Sequence, residues 1–282
     1  LNHAIGLPHK NGHSYPLFDY EKLVFDTLQN HKHVWIKKAT GLGITEFMLR
    51  YIAWLCLSTN KIENSQMCIV TGPRIELAIT LIDRMKGLFH ELGVTFDSKD
   101  TVIELNGCHI EAYPSHHLDS MRGLTNVSFI YLDEADFFPP GQQQDARDVS
   151  ERYIAKSNPW IVMVSTPNAP DGLFDKIERE SEETCLYKRM FLDYTYGLDR
   201  IYTSEEIALA KQSPSFEREY NLKYFGTGRQ RISHFGYRSS HMHAAGRPGN
   251  DGLVHEYHDK KKHGYRRSLG RHIKVCHCYY PM

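Results

Sequence analysis

The chain has 282 residues, 41% of them hydrophobic, which is enough for one substantial core. No run of eighteen apolar residues occurs, so we expect no membrane span. The six cysteines lie mostly in apolar stretches, which favours reduced thiols over the disulfide framework of a small secreted protein.

The formal net charge is zero, but the charges are unevenly distributed. Residues 226–282 carry eleven Lys or Arg and three Asp or Glu, together with eight of the seventeen histidines. The same segment has only six Ile, Leu or Val and shows neither helical nor strand periodicity. We therefore predict a globular domain over residues 1–225 and a basic, His- and Arg-rich tail over 226–282 that is poorly ordered.

Strands and helices alternate along the predicted domain. Asn106-Gly107 is predicted to form the turn of a hairpin, and Thr203 and Glu206 form a capping box before a helix. Continuously apolar strands that alternate with helices are typical of an α/β fold, with a mostly parallel sheet and helices on both faces. The predicted buried strands are 33–38, 65–72, 127–133 and 160–166, the hairpin is 101–113, and the predicted helices are 45–57, 74–93 and 142–157.

The stretch VWIKKATGLGITEF, residues 34–47, has the strand, glycine turn and helix of a phosphate-binding loop. In such a loop, backbone N–H groups and a helix N-terminus surround phosphate, a hydroxyl holds Mg²⁺, and a lysine neutralises phosphate oxygens. Thr45 takes the hydroxyl position, but Ile44 occupies the usual lysine position. The predicted nucleotide-binding residues of the loop are Lys38, Ala39, Thr40, Gly41, Leu42, Gly43, Ile44 and Thr45.

The missing lysine can be replaced from the front of the loop. Lys38 precedes the glycine turn, and its ammonium group could reach the same phosphates from the opposite side as a point charge. Lys37 is the alternative, because only one of two neighbouring strand residues faces the site. The competing interpretation is a glycine turn that binds no ligand.

Two further strands end in polar groups. FIYLDEADFF places Asp133 and Glu134 at the end of a buried strand, where two carboxylates are costly unless they have a function. Asp133 is predicted to bind Mg²⁺ and Glu134 to act as the general base for water, the alternative being an ordinary strand end with solvated acids. Ser165 and Thr166 end the next predicted strand and Asn168 follows it; all three are predicted to contact the nucleotide γ-phosphate or the attacking water.

These motifs resemble those of the ATPase domain of the large terminase subunit, the motor that packages DNA in tailed viruses. The resemblance covers roughly residues 15 to 225. KATGLGIT resembles the deviant Walker A motif of that family, IYLDEA its Walker B motif and STPN its coupling motif; MRGLT and SFEREYNLKYFG are also similar. The resemblance implies a RecA-like P-loop NTPase fold that uses ATP and Mg²⁺ and couples ATP hydrolysis to DNA translocation.

The resemblance also implies partners and further site residues. The expected partners are double-stranded DNA, a portal, a small terminase subunit and identical subunits in a ring, all in the cytoplasm of the host cell. Arg122 of MRGLT becomes a candidate arginine finger, acting in cis or from a neighbouring subunit, the alternative being a solvated surface arginine. Tyr20 becomes a candidate for stacking on adenine or, alternatively, a core residue, and Glu21 stands where the family would have glutamine.

The tail departs from the family, which usually continues into an RNase H-like nuclease domain. The 57 residues after residue 225 cannot build that domain, so we expect no nuclease activity and interpret the tail as a truncated or out-of-frame remnant. His272, Cys276, His277 and Cys278 are metal-ligand types, but their spacing matches no zinc knuckle, and no metal site is expected there.

Two other functions compete with a packaging motor. A helicase-type ATPase is suggested by the letters DEAD at 133–136, but that class needs a second RecA-like domain and a lysine in place of Ile44. A catalytically inactive nucleotide-binding remnant is favoured by Ile44 and by the break in composition at the tail. Phosphate release in the presence of DNA would separate these functions.

Overall fold

The computed structural model describes residues 17–58 and 62–224. The predicted tail, with its His and Cys residues, lies outside the described residues. The helices are α1 (Asp19–Asn30), α2 (Ile44–Ser58), α3 (Ile75–Glu91), α4 (Pro140–Glu151), α5 (Leu173–Arg179), α6 (Ser204–Ala210) and α7 (Phe216–Glu219). The strands are β1 (His33–Lys38), β2 (Gln66–Thr71), β3 (Asp97–Ser98), β4 (Val102–Leu105), β5 (Cys108–Pro114), β6 (Val127–Asp133), β7 (Trp160–Ser165) and β8 (Lys188–Leu192), and short 3-10 helices cover Ser115–Gly123, Ala135–Phe137 and Tyr194–Gly197.

Within the described ranges, one sheet contains eight strands in the order β3-β4-β5-β2-β6-β7-β1-β8. In this sheet, the β5-β2, β2-β6, β6-β7, β7-β1 and β1-β8 pairs are parallel, and the β3-β4 and β4-β5 pairs are antiparallel. The predicted mostly parallel sheet is therefore confirmed. Because β7 lies between β1 and β6, the carboxyl ends of these three strands are neighbours at one edge.

Helices cover both faces of the sheet, as predicted. On one face, Ile36 of β1 and Tyr131 of β6 pack with apolar residues of α1, α2 and α3. On the other face, Trp35 and Leu132 pack with apolar residues of α4 and α5. Successive strand residues point to opposite faces, so this packing fixes the direction of the side chains that follow at the strand ends.

Local turn chemistry explains several element boundaries. Asn106 and Gly107 both have positive φ, 49° and 74°, as a two-residue hairpin turn requires, so the predicted hairpin is confirmed. The predicted capping box at Thr203 is present, because the Thr203 hydroxyl accepts from the Glu206 N–H at 3.1 Å and the Glu206 carboxylate accepts in return from the Thr203 N–H at 2.8 Å.

The predicted helix over 142–157 is too long at its carboxyl end. Helix α4 ends at Glu151, and the carbonyl of Tyr153 then accepts from the N–H groups of Ser157 and Asn158, both at 3.0 Å. Asn158 takes a φ of 47°, so the chain turns there before entering β7. Among the described residues, no helix combines the length and the apolar character needed to span a membrane.

Candidate active site

The glycine loop connects β1 to α2 at the carboxyl edge of the sheet. Gly41 and Gly43 have φ of 80° and 70°, a backbone conformation that strains residues with a Cβ. The Gly43 carbonyl then accepts from the Phe47 N–H at 3.0 Å, which is the first turn of α2. The loop therefore brings the N-terminus of a fifteen-residue helix, with its unpaired N–H groups and positive dipole end, to the end of β1.

Four hydrogen bonds hold the loop backbone to other parts of the chain. Two use loop N–H groups and two use loop carbonyls, so both sides of the loop are supported. The Ala39 N–H donates to the Leu192 carbonyl at 2.7 Å, the Thr40 N–H donates to the Glu219 carbonyl at 2.8 Å, and the hydroxyls of Tyr20 and Tyr202 donate to the carbonyls of Leu42 (2.7 Å) and Thr40.

The two candidate lysines point to opposite faces of the sheet. The Lys38 ammonium contacts the Glu134 carboxylate and donates to the Thr166 hydroxyl at 3.2 Å. Lys37 instead donates to the Glu178 carboxylate at 2.5 Å, and its ammonium lies 4.7 Å from the centre of the Tyr224 ring. Lys38 is therefore the lysine on the same side as the acidic pair, and its side chain is only 8% exposed.

The hydroxyl at the start of α2 meets the first acid of the pair. Thr45 Oγ1 donates to Asp133 Oδ1 at 2.8 Å, and the Tyr131 hydroxyl donates to the same carboxylate oxygen. Burial raises the pKa of Asp133, and the neighbouring Glu134 charge adds to this rise, while the hydrogen bonds from Tyr131 and Thr45 and the charge of Lys38 oppose it. The Thr45 hydroxyl and the Asp133 carboxyl group are thus held together at the start of α2.

The Thr45–Asp133 pair fits a magnesium ion that is also bound by phosphate. Mg²⁺ is usually held by one or two protein oxygens, with water and substrate phosphate completing its octahedral coordination. No group of three or more His, Cys, Asp or Glu side chains capable of holding a metal occurs in residues 17–58 and 62–224. Thr45 and Asp133 would each supply one oxygen to such an ion.

Glu134 follows β6 in a strained conformation. Its φ of 52° and ψ of 45° are left-handed, which costs a residue with a Cβ about 1–2 kcal/mol. This turn directs its carboxylate toward the end of β7, where Glu134 Oε2 accepts from the Thr166 N–H at 3.1 Å and from the Ser165 hydroxyl at 3.3 Å. One carboxylate oxygen of Glu134 thus contacts Lys38 and the other contacts β7.

Asn168 forms hydrogen bonds with Asp136 rather than with Glu134. Its backbone N–H donates to Asp136 Oδ2 at 2.7 Å, and its side-chain amide donates to the Asp136 carbonyl at 3.1 Å. Asp136 is 1% exposed and also accepts from the Phe174 N–H at 3.3 Å. Burial raises the pKa of Asp136 despite these hydrogen bonds. Asp136 therefore ties the segment after β7 to the segment after β6, a role that our sequence analysis did not assign to it.

Arg122 lies on the 3-10 helix that follows β5, four strand positions from β1 in the sheet order. Its side chain is 47% exposed, and Arg122 Nε donates to Asp119 Oδ1 at 2.7 Å. The structure thus places Arg122 on the surface, in an ion pair with its own helix. Its use as an arginine finger, in cis or on a neighbouring subunit, stays a prediction.

Tyr20 is a buried residue of α1 that reaches the loop. The residue is 2% exposed, its ring stacks on that of Phe18 at 5.6 Å between centroids, and its hydroxyl donates to the Leu42 carbonyl. The Glu21 carboxylate accepts from the Phe18 N–H at 2.9 Å and so caps α1. Tyr20 therefore supports the loop backbone, and stacking on a base would require its ring to be uncovered.

No protein-family model matches the sequence, and no curated protein matches it significantly. Solved structures do match. The large terminase ATPase domain of Thermus phage P74-26 is 14% identical, with a TM-score of 0.58, over 75% of this chain and 95% of that domain. The HK97 bacteriophage large terminase is 15% identical, with a TM-score of 0.60, over 75% of this chain and 51% of that protein. The large terminase of a thermophilic bacteriophage, in complex with ATP-γ-S, is 12% identical, with a TM-score of 0.58, over 74% of this chain and 53% of that protein.

The chain therefore has the RecA-like fold of large terminase ATPase domains. The resemblance that the motifs indicated is confirmed at the level of the fold. The chain spans about half the length of the HK97 terminase and of the terminase solved with ATP-γ-S, and nearly all of the separate P74-26 ATPase domain.

Proposed function

We propose that this chain is an ATPase that drives DNA into a viral capsid, as the ATPase domain of a large terminase subunit does. The observation that carries the proposal is the contact of Lys38 with Glu134 beside the glycine loop, next to the Thr45–Asp133 pair. A cation, a general-base candidate and a metal-ligand pair are thereby gathered at the N-terminus of α2. Similarity to terminase structures, among them complexes with ADP and ATP-γ-S, supports the same assignment.

The triphosphate is bound by the loop and by Lys38. Loop N–H groups and the N-terminus of α2 stabilise negative charge, and Lys38 adds a full positive charge at the front of the loop. Because the Lys38 ammonium is paired with Glu134, phosphate oxygens must compete with that carboxylate for it. Nucleotide binding would therefore separate the pair and release Glu134 for chemistry.

Hydrolysis then depends on Glu134. Its carboxylate accepts a proton from the attacking water as the oxygen of that water bonds to the γ-phosphorus and the bond to the ADP oxygen breaks. The Thr166 N–H and the Ser165 hydroxyl orient one oxygen of Glu134 for this role. Thr45 and Asp133 would hold Mg²⁺, which neutralises charge on the phosphates when bound.

Coupling to DNA is assigned to the segment that follows β7. Thr166 contacts both Lys38 and Glu134, so the loss of phosphate changes the hydrogen bonds at the end of this strand. Asp136 connects Asn168 to the N-terminal end of α5 through the Phe174 N–H. In this proposal, double-stranded DNA, a portal and a small subunit are the partners in the host cytoplasm, and the exposed Arg122 acts on a neighbouring subunit of a ring.

Phosphate release from ATP, measured with and without double-stranded DNA, tests the proposal. The parent chain should turn over ATP, and both Glu134→Gln and Lys38→Ala should lose turnover. Glu91→Gln, a change at an exposed acid near the end of α3, is the matched control and should behave as the parent does. Nucleotide binding without turnover in the parent would instead support an inactive nucleotide-binding protein.

A further inference from the structure

The carbonyl side of the glycine loop is held by two tyrosines that are far apart in the sequence. Tyr20 comes from α1, and Tyr202 comes from the turn that precedes α6. The Tyr202 hydroxyl donates to the Thr40 carbonyl, and the Tyr20 hydroxyl donates to the Leu42 carbonyl at 2.7 Å. The two bonds therefore fall on alternate peptide units of the loop.

These bonds determine where two loop N–H groups point. In a trans peptide, the carbonyl of one residue and the N–H of the next lie in one plane and point in opposite directions. A tyrosine on the Thr40 carbonyl therefore turns the Gly41 N–H to the other side of the loop, and a tyrosine on the Leu42 carbonyl does the same for the Gly43 N–H.

The ring of Tyr202 packs closely against Gly197. Tyr202 is 8% exposed, and a Cβ added at Gly197 would lie 2.6 Å from its ring, too close for any residue but glycine. The Gly197 carbonyl accepts from the Tyr202 N–H at 3.0 Å, which anchors the same turn. A tyrosine hydroxyl is already protonated at neutral pH, and burial raises the pKa of Tyr202 further, so the hydroxyl is available as a donor.

At the front of the loop, two backbone N–H groups already donate to other carbonyls and are not available to phosphate. The N–H groups of Ala39 and Thr40 already donate to the carbonyls of Leu192 and Glu219. Backbone N–H contacts to phosphate must therefore begin at Gly41. The positive φ of Gly41 and Gly43 lets the backbone between the two tyrosine contacts adopt this alternating arrangement.

We propose that Tyr202 and Tyr20 are positioning residues that aim the N–H groups of Gly41 and Gly43 at the phosphates of the nucleotide. This inference rests on the proposed function and deepens it, because it assigns the orientation of the loop to two hydroxyls outside the loop. It also gives Tyr20 a role at the phosphates rather than at the base.

The test compares tyrosine-to-phenylalanine variants, which keep each ring and remove only the hydroxyl. Tyr202→Phe and Tyr20→Phe should each weaken binding of a fluorescent ATP analogue about 3- to 10-fold in the presence of Mg²⁺. The KM for ATP should rise by the same factor with kcat within about twofold, because the affected bonds are made in the ground state as well as in the transition state. Tyr196→Phe, on the 3-10 helix Tyr194–Gly197 shortly before Tyr202 but 44% exposed, is the matched control.

A second probe locates the effect. Inorganic tripolyphosphate lacks the base, and its binding should weaken as much as that of ATP in both variants. Weakening for ATP alone would assign Tyr20 to the base and overturn the inference for that residue. The two variants act on different peptide units, so the test does not depend on the folding of one variant alone. Thermal unfolding without nucleotide checks that each variant is folded.

The outcomes separate the two levels of the proposal. If the parent binds ATP and both variants bind it as tightly as Tyr196→Phe does, the positioning role is wrong and the proposed function stands. If the parent binds neither ATP nor tripolyphosphate, both the proposed function and the positioning role are wrong.

Discussion

Lys38, the last residue of β1, pairs with Glu134, the first residue after β6, although 96 positions separate them in the chain. The contact forms because β7 alone lies between the two strands and because Lys38 points to the face of the sheet that α2 covers. A lysine displaced from its usual place in the loop thus reaches the acid that our proposal makes the general base.

The two lysines should separate binding from stability. Lys38→Ala should weaken ATP binding about 10- to 100-fold, because a charge-assisted contact to phosphate is lost. Lys37→Met should leave ATP affinity near that of the parent and lower the free energy of unfolding by about 1–3 kcal/mol, because Glu178 loses its partner. Calorimetric titration and urea unfolding measure the two effects. The opposite pattern would assign the phosphate contact to Lys37.

Glu134→Gln should uncouple binding from hydrolysis. The variant should bind ATP at least as tightly as the parent, because Lys38 no longer has a carboxylate to release. Its kcat should fall about 10²- to 10⁴-fold, the usual contribution of a general base. Equilibrium binding and single-turnover hydrolysis on the same preparation test both statements. A variant that retains more than a tenth of the parent kcat would show that another group acts as the base.

Asp136→Ala should destabilise the fold by about 2–4 kcal/mol. The change leaves the N–H groups of buried Phe174 and half-buried Asn168 without their acceptors. Asp145→Ala, at an exposed site on α4, is the control and should change the free energy of unfolding by less than about 0.5 kcal/mol. Urea unfolding at neutral pH gives both values. Equal stability of the two variants would mean that Asp136 does not tie the segments together.

The hairpin of β4 and β5 should make stability depend on pH through His109. Burial favours the neutral imidazole, but the hydrogen bonds and charges of Glu104 and Glu111 outweigh it and raise the pKa of His109 above 6.5. Stability from the charged form is therefore fully present below the unfolded-state pKa and is lost as the pH rises through the folded-state pKa.

His109→Gln should accordingly cost more free energy of unfolding at pH 5.5 than at pH 9. The expected difference between the two costs is about 1 kcal/mol or less, because the group is partly exposed. Urea unfolding at the two pH values measures it, and the difference should shrink in a Glu104→Gln background. An equal cost at both pH values would show that the charged form of His109 does not stabilise the fold through Glu104 and Glu111.

The central strands could be predicted because strands buried on both faces read as continuous apolar runs. β8 was not predicted, since it lies at the edge of the sheet and keeps Lys188 and Phe191 exposed, which breaks the apolar pattern. Helix α1 is likewise absent from the predicted elements, although Tyr20, Val24 and Leu28 recur at the spacing of one helix face.

The sequence predicts only those parts of the candidate site whose positions follow from the spacing of residues along the chain. The loop, Thr45 and the acidic pair follow from the order of strand, turn and helix. The choice of Lys38 over Lys37 required the packing of β1 between two layers of helices. The contact of Tyr202 with Thr40 joins positions 162 residues apart, so only the folded chain reveals it.

The decisive experiment is a crystal structure of the chain with Mg²⁺ and ATP-γ-S. We expect the Lys38 ammonium to leave Glu134 and to lie within about 3 Å of a phosphate oxygen, with Thr45 and Asp133 at the metal. A bound triphosphate with Lys38 still paired to Glu134 and turned away from every phosphate oxygen would contradict it.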